Sequence, residues 1–161
     1  MNKSDWEKFF CNDSGKCKVL VVGDVMIDKY YHGEVHKFAS DAPVPVAKII
    51  KRRSSLGAAA NVAGNLASVG CRTYLAGFVG NDHNFETLSR LLWEVGINQD
   101  GLIATESPTT TKVRVMSGRQ QMFRMDFEDA EPRNMIYFAT LEKYIRKRLN
   151  DSFDAVVIAD Y

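Results

Sequence analysis

The chain has little of what would commit it to a membrane, a nucleic acid or an oxidising compartment. No apolar run in its 161 residues reaches the length of a membrane-spanning helix. The amino end, Met1 to Lys18, flanks Trp6, Phe9 and Phe10 with charges and lacks the apolar core of a signal peptide. The net charge is +1, so neither nucleic acid nor an anionic membrane is expected as a partner. Cysteine is scarce. Cys11, Cys17 and Cys71 form no C-x-x-C pair and cannot all pair with one another, so free thiols in a reducing, cytoplasmic setting are expected. No G-x-G-x-x-G follows the first apolar strand, which argues against a dinucleotide site. Internal repeats and low-complexity segments are also missing. What remains is 45% hydrophobic, enough to build the core of one domain or of part of a larger one.

The most distinctive stretch runs from Leu56 to Gly70. It reads as a loop at Leu56-Gly57 opening into a helix of small residues from Ala58 to Val69. Ala favours the helix, and Gly70 sits where helices end in a left-handed conformation. A helix without bulky side chains in its first two turns can approach a backbone or a ligand closely. Its amino end offers unpaired N–H groups to oxygen-rich ligands. Asn61 and Asn65 lie one turn apart on one face; the alternative is a packed structural helix with both facing water.

Around this stretch the chain alternates between strand and helix signals. Asp5 to Phe10 reads as a short amphipathic helix. Lys18 to Asp24 reads as a buried strand whose carboxyl end opens into a loop, where ligands gather in open α/β sheets. That placement makes Asp24 and Asp28 candidates, with a purely loop-capping Asp24 as the alternative. Lys29–Lys37 and Val44–Arg52 read as exposed or half-buried strands on either side of Ala42-Pro43-Val44-Pro45, which cannot be helical. His32, Glu34 and His36 alternate as in a strand, but their order is not a zinc motif, and solvent-facing residues are the expectation. Arg72–Gly80 predicts a strand. Caps at Asn81 to Asn84 introduce a helix from Phe85 to Val95, ended by Gly96. Thr109–Met116, a turn at Ser117-Gly118 and Gln120–Phe127 predict a hairpin, with Arg119 and Gln121 on one parity and Arg124 and Asp126 on the other. Met135–Leu149 predicts an amphipathic helix with a basic end at Arg146-Lys147-Arg148. Asp154–Tyr161 predicts a buried parallel strand, and an ending at the tip of such a strand reads as truncation. The alternation argues for a parallel sheet with covering helices.

Four separated segments, in order, resemble the ribokinase-like (PfkB) carbohydrate kinases: Val21 to Asp28, Ala42 to Val46, Gly57 to Ala63 and Thr110 to Val115. Within them, Arg119 to Glu128 is similar to the heptose 7-phosphate kinase branch, the kinase part of bifunctional ADP-heptose synthesis proteins. The resemblance covers Lys18 to Tyr161. It implies a truncated α/β fold: a Rossmann-like parallel sheet with covering helices and a small β lid. Residues 1–17 would be an extension and 18–161 the amino-terminal half of the kinase domain, with lid strands near 29–52 and 109–128. It implies Asp28, Gly57 and Asn61 as sugar-binding residues, Arg119, Gln121 and Arg124 as candidates for the phosphate end, and Asp160 as a further residue facing substrate. A carboxylate accepting from hydroxyls beside an Asn that donates and accepts suits a polyol.

The resemblance further implies an ATP- and Mg2+-dependent kinase that phosphorylates the anomeric hydroxyl of D-glycero-β-D-manno-heptose 7-phosphate, for ADP-heptose and lipopolysaccharide precursor synthesis. It also implies a homodimer joined through the lid strands. Three departures stand out. Ala58 replaces the family's second glycine, Phe85 replaces another, and the Gly-Ala-Gly-Asp motif that supplies the anion hole and catalytic base is absent. No residue is therefore assigned as catalytic, and neither tight nucleotide binding nor turnover is expected of these residues alone. The alternative readings are a non-catalytic sugar-phosphate-binding or dimerising fragment, and half of another PfkB sugar kinase.

Overall fold

Continuous apolar runs build one sheet of the molecule and alternating runs build another. The computed structural model describes residues 15, 17–129, 134–151 and 153–161. The expected helix over Asp5–Phe10 and Cys11 lie outside the described residues.

The first sheet is wholly parallel, in the order β5 (Asn98–Thr105), β4 (Arg72–Gly80), β1 (Lys18–Gly23), β8 (Ala155–Ala159). Strands buried on both faces read as unbroken apolar sequence. Accordingly Val19, Leu20 and Val21 of β1 and Leu75 and Ala76 of β4 are all at most 3% exposed. One face packs on α1 (Ala58–Ser68) and α2 (His83–Glu94), where Ala59, Ala60, Ala63, Leu88 and Leu92 close the core around Val21 and Leu75. Alternation along the strand turns Phe78 to the other face. There it meets Phe138 of α3 (Met135–Leu149) edge-on, with centroids 5.1 Å apart.

The second sheet is mixed, in the order β3 (Pro45–Gly57), β2 (Val25–Phe38), β6 (Thr111–Ser117), β7 (Gln120–Phe127). Only β2 and β6 run parallel; β3 and β7 pair antiparallel at the two edges. Its inner face holds Ile27, Thr111, Val113 and Val115, all buried, while the alternate residues face outward.

Several expectations need correction. β1 does not open into a loop, because Asp24 alone separates it from β2. Leu56-Gly57 is the end of β3, so strand passes straight into helix. β5 was not read from the sequence at all. β8 is parallel as expected but buried on one face only: Ala159 is 6% exposed and Val157 packs on the core, whereas Val156 is 45% and Ile158 79% exposed. It pairs with β1 along one edge only, and among the described residues no strand pairs with the other. Gly70 does adopt the left-handed backbone, with φ +95°, after the last turn of α1.

Candidate functional site

The chain that leaves β1 ties the two sheets together at Asp24. Its N–H donates to Ala159 O at 3.0 Å, its carbonyl accepts from Ala59 N at 3.0 Å, and its carboxylate accepts from Tyr161 N at 2.9 Å. The carboxyl ends of β1 and β8 and the amino end of α1 therefore meet at one point. The capping alternative describes part of what Asp24 does, but Asp24 also lines a cleft of about 430 Å³. That cleft lies between the carboxyl ends of β1 and β8 and the outer face of the second sheet, and Met26, Thr110, Lys112, Arg124, Glu128, Asp129 and Tyr161 complete its lining. Crevices at the carboxyl ends of parallel strands are where α/β folds bind ligands.

Strand register explains which side chains converge. Asp28 stands opposite Ser55 on β3 and Lys112 on β6, and Lys112 stands opposite Asp126 on β7. Lys112 Nζ reaches Glu128 Oε2 at 2.5 Å and Asp126 Oδ2 at 3.1 Å. Burial by itself lowers the Lys112 pKa; the bonds to Glu128 and Asp126 more than offset this and hold the ammonium above its ordinary value. Asp126 also accepts from Arg124 Nε at 2.9 Å. Burial acts to raise its pKa, but Lys112 and Arg124 prevail and hold the carboxyl below the usual range. Arg114 donates to Asp28 Oδ1 and lies over the Tyr30 ring, 5.4 Å from its centroid. The hydrogen bond that Arg114 donates to Asp28 raises the guanidinium pKa against its partial burial.

Gly57 belongs at this point for a steric reason. A Cβ there would stand 2.9 Å from Met26 Cγ and 3.1 Å from Asp28 Oδ2. The next residue, Ala58, has φ +42°, a left-handed conformation that an L side chain resists and glycine adopts freely. This is the position at which the family resemblance expects glycine.

The expected site residues are brought together unevenly. Asp28 and Gly57 are in contact distance and Arg124 lines the cleft. Asn61 sits on the first turn of α1, exposed and not among the cleft's lining residues. Asp160 is exposed, and its neighbour Tyr161 lines the cleft instead. Arg119 lies in the turn beyond Ser117, at the far end of the hairpin. The parity expectation is overturned. β7 carries an extra residue, Met122, between the pairs Val115↔Phe123 and Met116↔Gln121. A bulge shifts alternation by one, so Gln121, Arg124 and Asp126 share a face. Lys112 and Arg114 were missed as site residues. Their alternation with buried Val113 and Val115 was the available signal. His32 stacks on Tyr30 at 6.4 Å and His36 bonds Glu34 at 2.8 Å, so the three do not converge.

A four-stranded parallel layer with a mixed β lid over its carboxyl ends defines an α/β fold of the ribokinase type. A putative ribokinase from Agrobacterium tumefaciens shares that fold, with a TM-score of 0.62 at 20% identity over 88% of this chain and 44% of its own. The family model for pfkB family carbohydrate kinases matches residues 16–159, and the chain belongs to that family. It is 41% identical over 147 residues to the D-beta-D-heptose 7-phosphate kinase of Bordetella bronchiseptica, covering 91% of this chain and 46% of that protein. It is 40% identical over 146 residues to the bifunctional protein HldE of Shewanella amazonensis, covering 91% of this chain and 30% of that protein. The chain thus spans less than half the length of these relatives. No helix among the described residues is long and apolar enough to cross a membrane.

Proposed function

We propose that these residues form the sugar-binding half of a heptose 7-phosphate kinase. The carrying observation is Asp28 held beside Gly57, with the cleft of Asp24, Lys112 and Arg124 next to it. The 41% identity to a D-beta-D-heptose 7-phosphate kinase supports the choice of sugar. Asp28 gives Oδ1 to Arg114, and a carboxylate has lone pairs left for sugar hydroxyls. Asp24, Glu128 and Asp129 outnumber Lys112 and Arg124 in the cleft, a balance that suits hydroxyl donors.

ATP with Mg2+ supplies the phosphoryl group in this family. The sequence contains no Gly-Ala-Gly-Asp. We assign these residues binding and orientation of the sugar phosphate, and no step of transfer. Two further parts of the reading are a cytoplasmic setting and a homodimer. Cys17 and Cys71 are free thiols, which suits reducing conditions. The lid's edge strands carry Ile50, Phe123 and Phe127 exposed, which suits pairing with a second copy.

The experiment is an NMR titration of the chain with heptose 7-phosphate, beside a coupled assay for ADP release. Millimolar binding without turnover is expected, weakened about tenfold by Asp28→Asn. Equal binding by wild type and Asp28→Asn overturns the site, and turnover of about 1 per second or more overturns the assignment of binding alone.

A further inference from the structure

We infer that a transverse row of side chains on the outer face of the lid sheet, Arg53, Tyr30, Arg114 and Arg124, is the subsite for the phosphate of the sugar phosphate. The inference deepens the reading above and rests on it for the identity of the sugar. The row follows from register: Tyr30 stands opposite Arg53 on one side and Arg114 on the other, and Arg114 stands opposite Arg124. Residues directly opposite one another share a face, so three guanidinium groups project from the face that carries Asp28.

Like charges directly opposite in an antiparallel pair are destabilising, and Arg114 opposite Arg124 is such a pair. An anion held between them converts the repulsion into two charge-assisted bonds. The adjacent row holds Asp28, Lys112 and Asp126. With Glu128, which Lys112 also holds, four cations face three carboxylates, leaving a net positive charge that favours a phosphate. The cleft nearer the parallel sheet shares Lys112 and Arg124 with the two rows and adds Asp24, Glu128 and Asp129, whereas Arg53 and Arg114 lie outside its lining. A phosphate is therefore favoured at the Arg53–Arg114 part of the row, away from those carboxylates.

Distance agrees with this division. Tyr30 is two residues beyond Asp28, a strand rise of about 7 Å. A pyranose ring bound at Asp28 can place the phosphate on its exocyclic arm at that distance. Arg114 is also pre-oriented, held by Asp28 on one side and by the Tyr30 ring on the other. Fixed guanidinium planes favour bidentate contact with phosphate oxygens. Arg119, in the hairpin turn beyond the Met116–Gln121 pair, falls outside this row.

The test titrates the full chain with heptose 7-phosphate, unphosphorylated heptose and inorganic phosphate, read by NMR. The variants are Arg53→Gln, Arg124→Gln, Arg114→Gln and Arg119→Gln. Arg114→Gln strips Asp28 of its partner, so Arg53→Gln, at an exposed position, carries the decision if Arg114→Gln does not fold. Arg53→Gln is expected to weaken heptose 7-phosphate about tenfold and the unphosphorylated sugar less than about twofold; Arg124→Gln, which also lines the cleft, is expected to weaken heptose 7-phosphate about tenfold, and Arg119→Gln to change neither. Equal loss for both sugars from Arg53→Gln, or a larger loss from Arg119→Gln, overturns the row. Inorganic phosphate that shifts the row's resonances while neither sugar binds upholds the subsite and removes the heptose reading. Inorganic phosphate that shifts only residues elsewhere overturns the subsite.

Discussion

The two sheets divide the work of the molecule. In the parallel sheet the central strands β1 and β4 hide residues of both parities, and Leu20, Val21, Leu75 and Ala76 are fully buried. In the lid sheet only one parity is hidden, and the other carries the charges: Asp28, Lys112, Arg114, Arg124 and Asp126. Apolar burial contributes free energy in proportion to area, whereas half-exposed ion pairs contribute little. Stability therefore resides in the parallel sheet, and recognition in the outer face of the lid. Asp82 and Ala58 are further joints between them, beside Asp24. Asp82 caps α2 by accepting from Phe85 N at 2.8 Å and, through its other oxygen, accepts from Thr109 N at 2.8 Å just before β6.

The largest effect expected from breaking this division is in the parallel sheet. Leu75→Ala should cost about 2–5 kcal/mol in urea unfolding, because the surrounding side chains cannot fully collapse into the space. A loss below about 1 kcal/mol would place the stabilising core elsewhere.

Asp82→Asn should cost about 1 kcal/mol at neutral pH, because the single amide oxygen can keep the Phe85 cap while the NH2 cannot accept from Thr109 N. Burial tends to raise the Asp82 pKa, but the amide bonds from Phe85 and Thr109 outweigh it and hold the carboxyl below its ordinary value. A depressed carboxyl stabilises the fold fully above the unfolded pKa, near 3.9, and less as pH falls through the folded one. The variant and wild type should therefore converge in stability as pH falls below about 4. A difference that stays constant from pH 7 to pH 2 would exclude Asp82 ionisation as its source.

Ala58→Gly should stabilise the chain by about 1 kcal/mol, since it relieves the left-handed conformation at the joint between β3 and α1. A fall in thermal midpoint would show that helix propensity outweighs the backbone term there.

The smallest expected effect is on the lid's outer face. Arg124→Ala should change stability by less than about 0.5 kcal/mol, because its ion pair with Asp126 is half-exposed on the arginine side. A loss comparable to that of Leu75→Ala would erase the distinction between the two sheets.

Local pattern alone determined a good deal of this protein. The apolar run at Lys18–Gly23, the alanines of α1 and the caps before α2 specify their elements through burial period, propensity and side-chain hydrogen bonds, all readable within a few residues. The ordered segments from Val21 to Val115 carry the family. Tertiary structure decided the rest, because it depends on partners distant in the chain. Asn98–Thr105 has no strong strand pattern of its own and becomes β5 by pairing with β4. Ala155–Ala159 is apolar yet exposed on one face, at Val156 and Ile158, since burial depends on what lies beside a strand. One extra residue at Met122 moved Gln121 to the face of Arg124, and no alternation rule anticipates a bulge. Arg53, Asp28, Lys112, Arg114 and Arg124 come from four strands, and only register places them on one face.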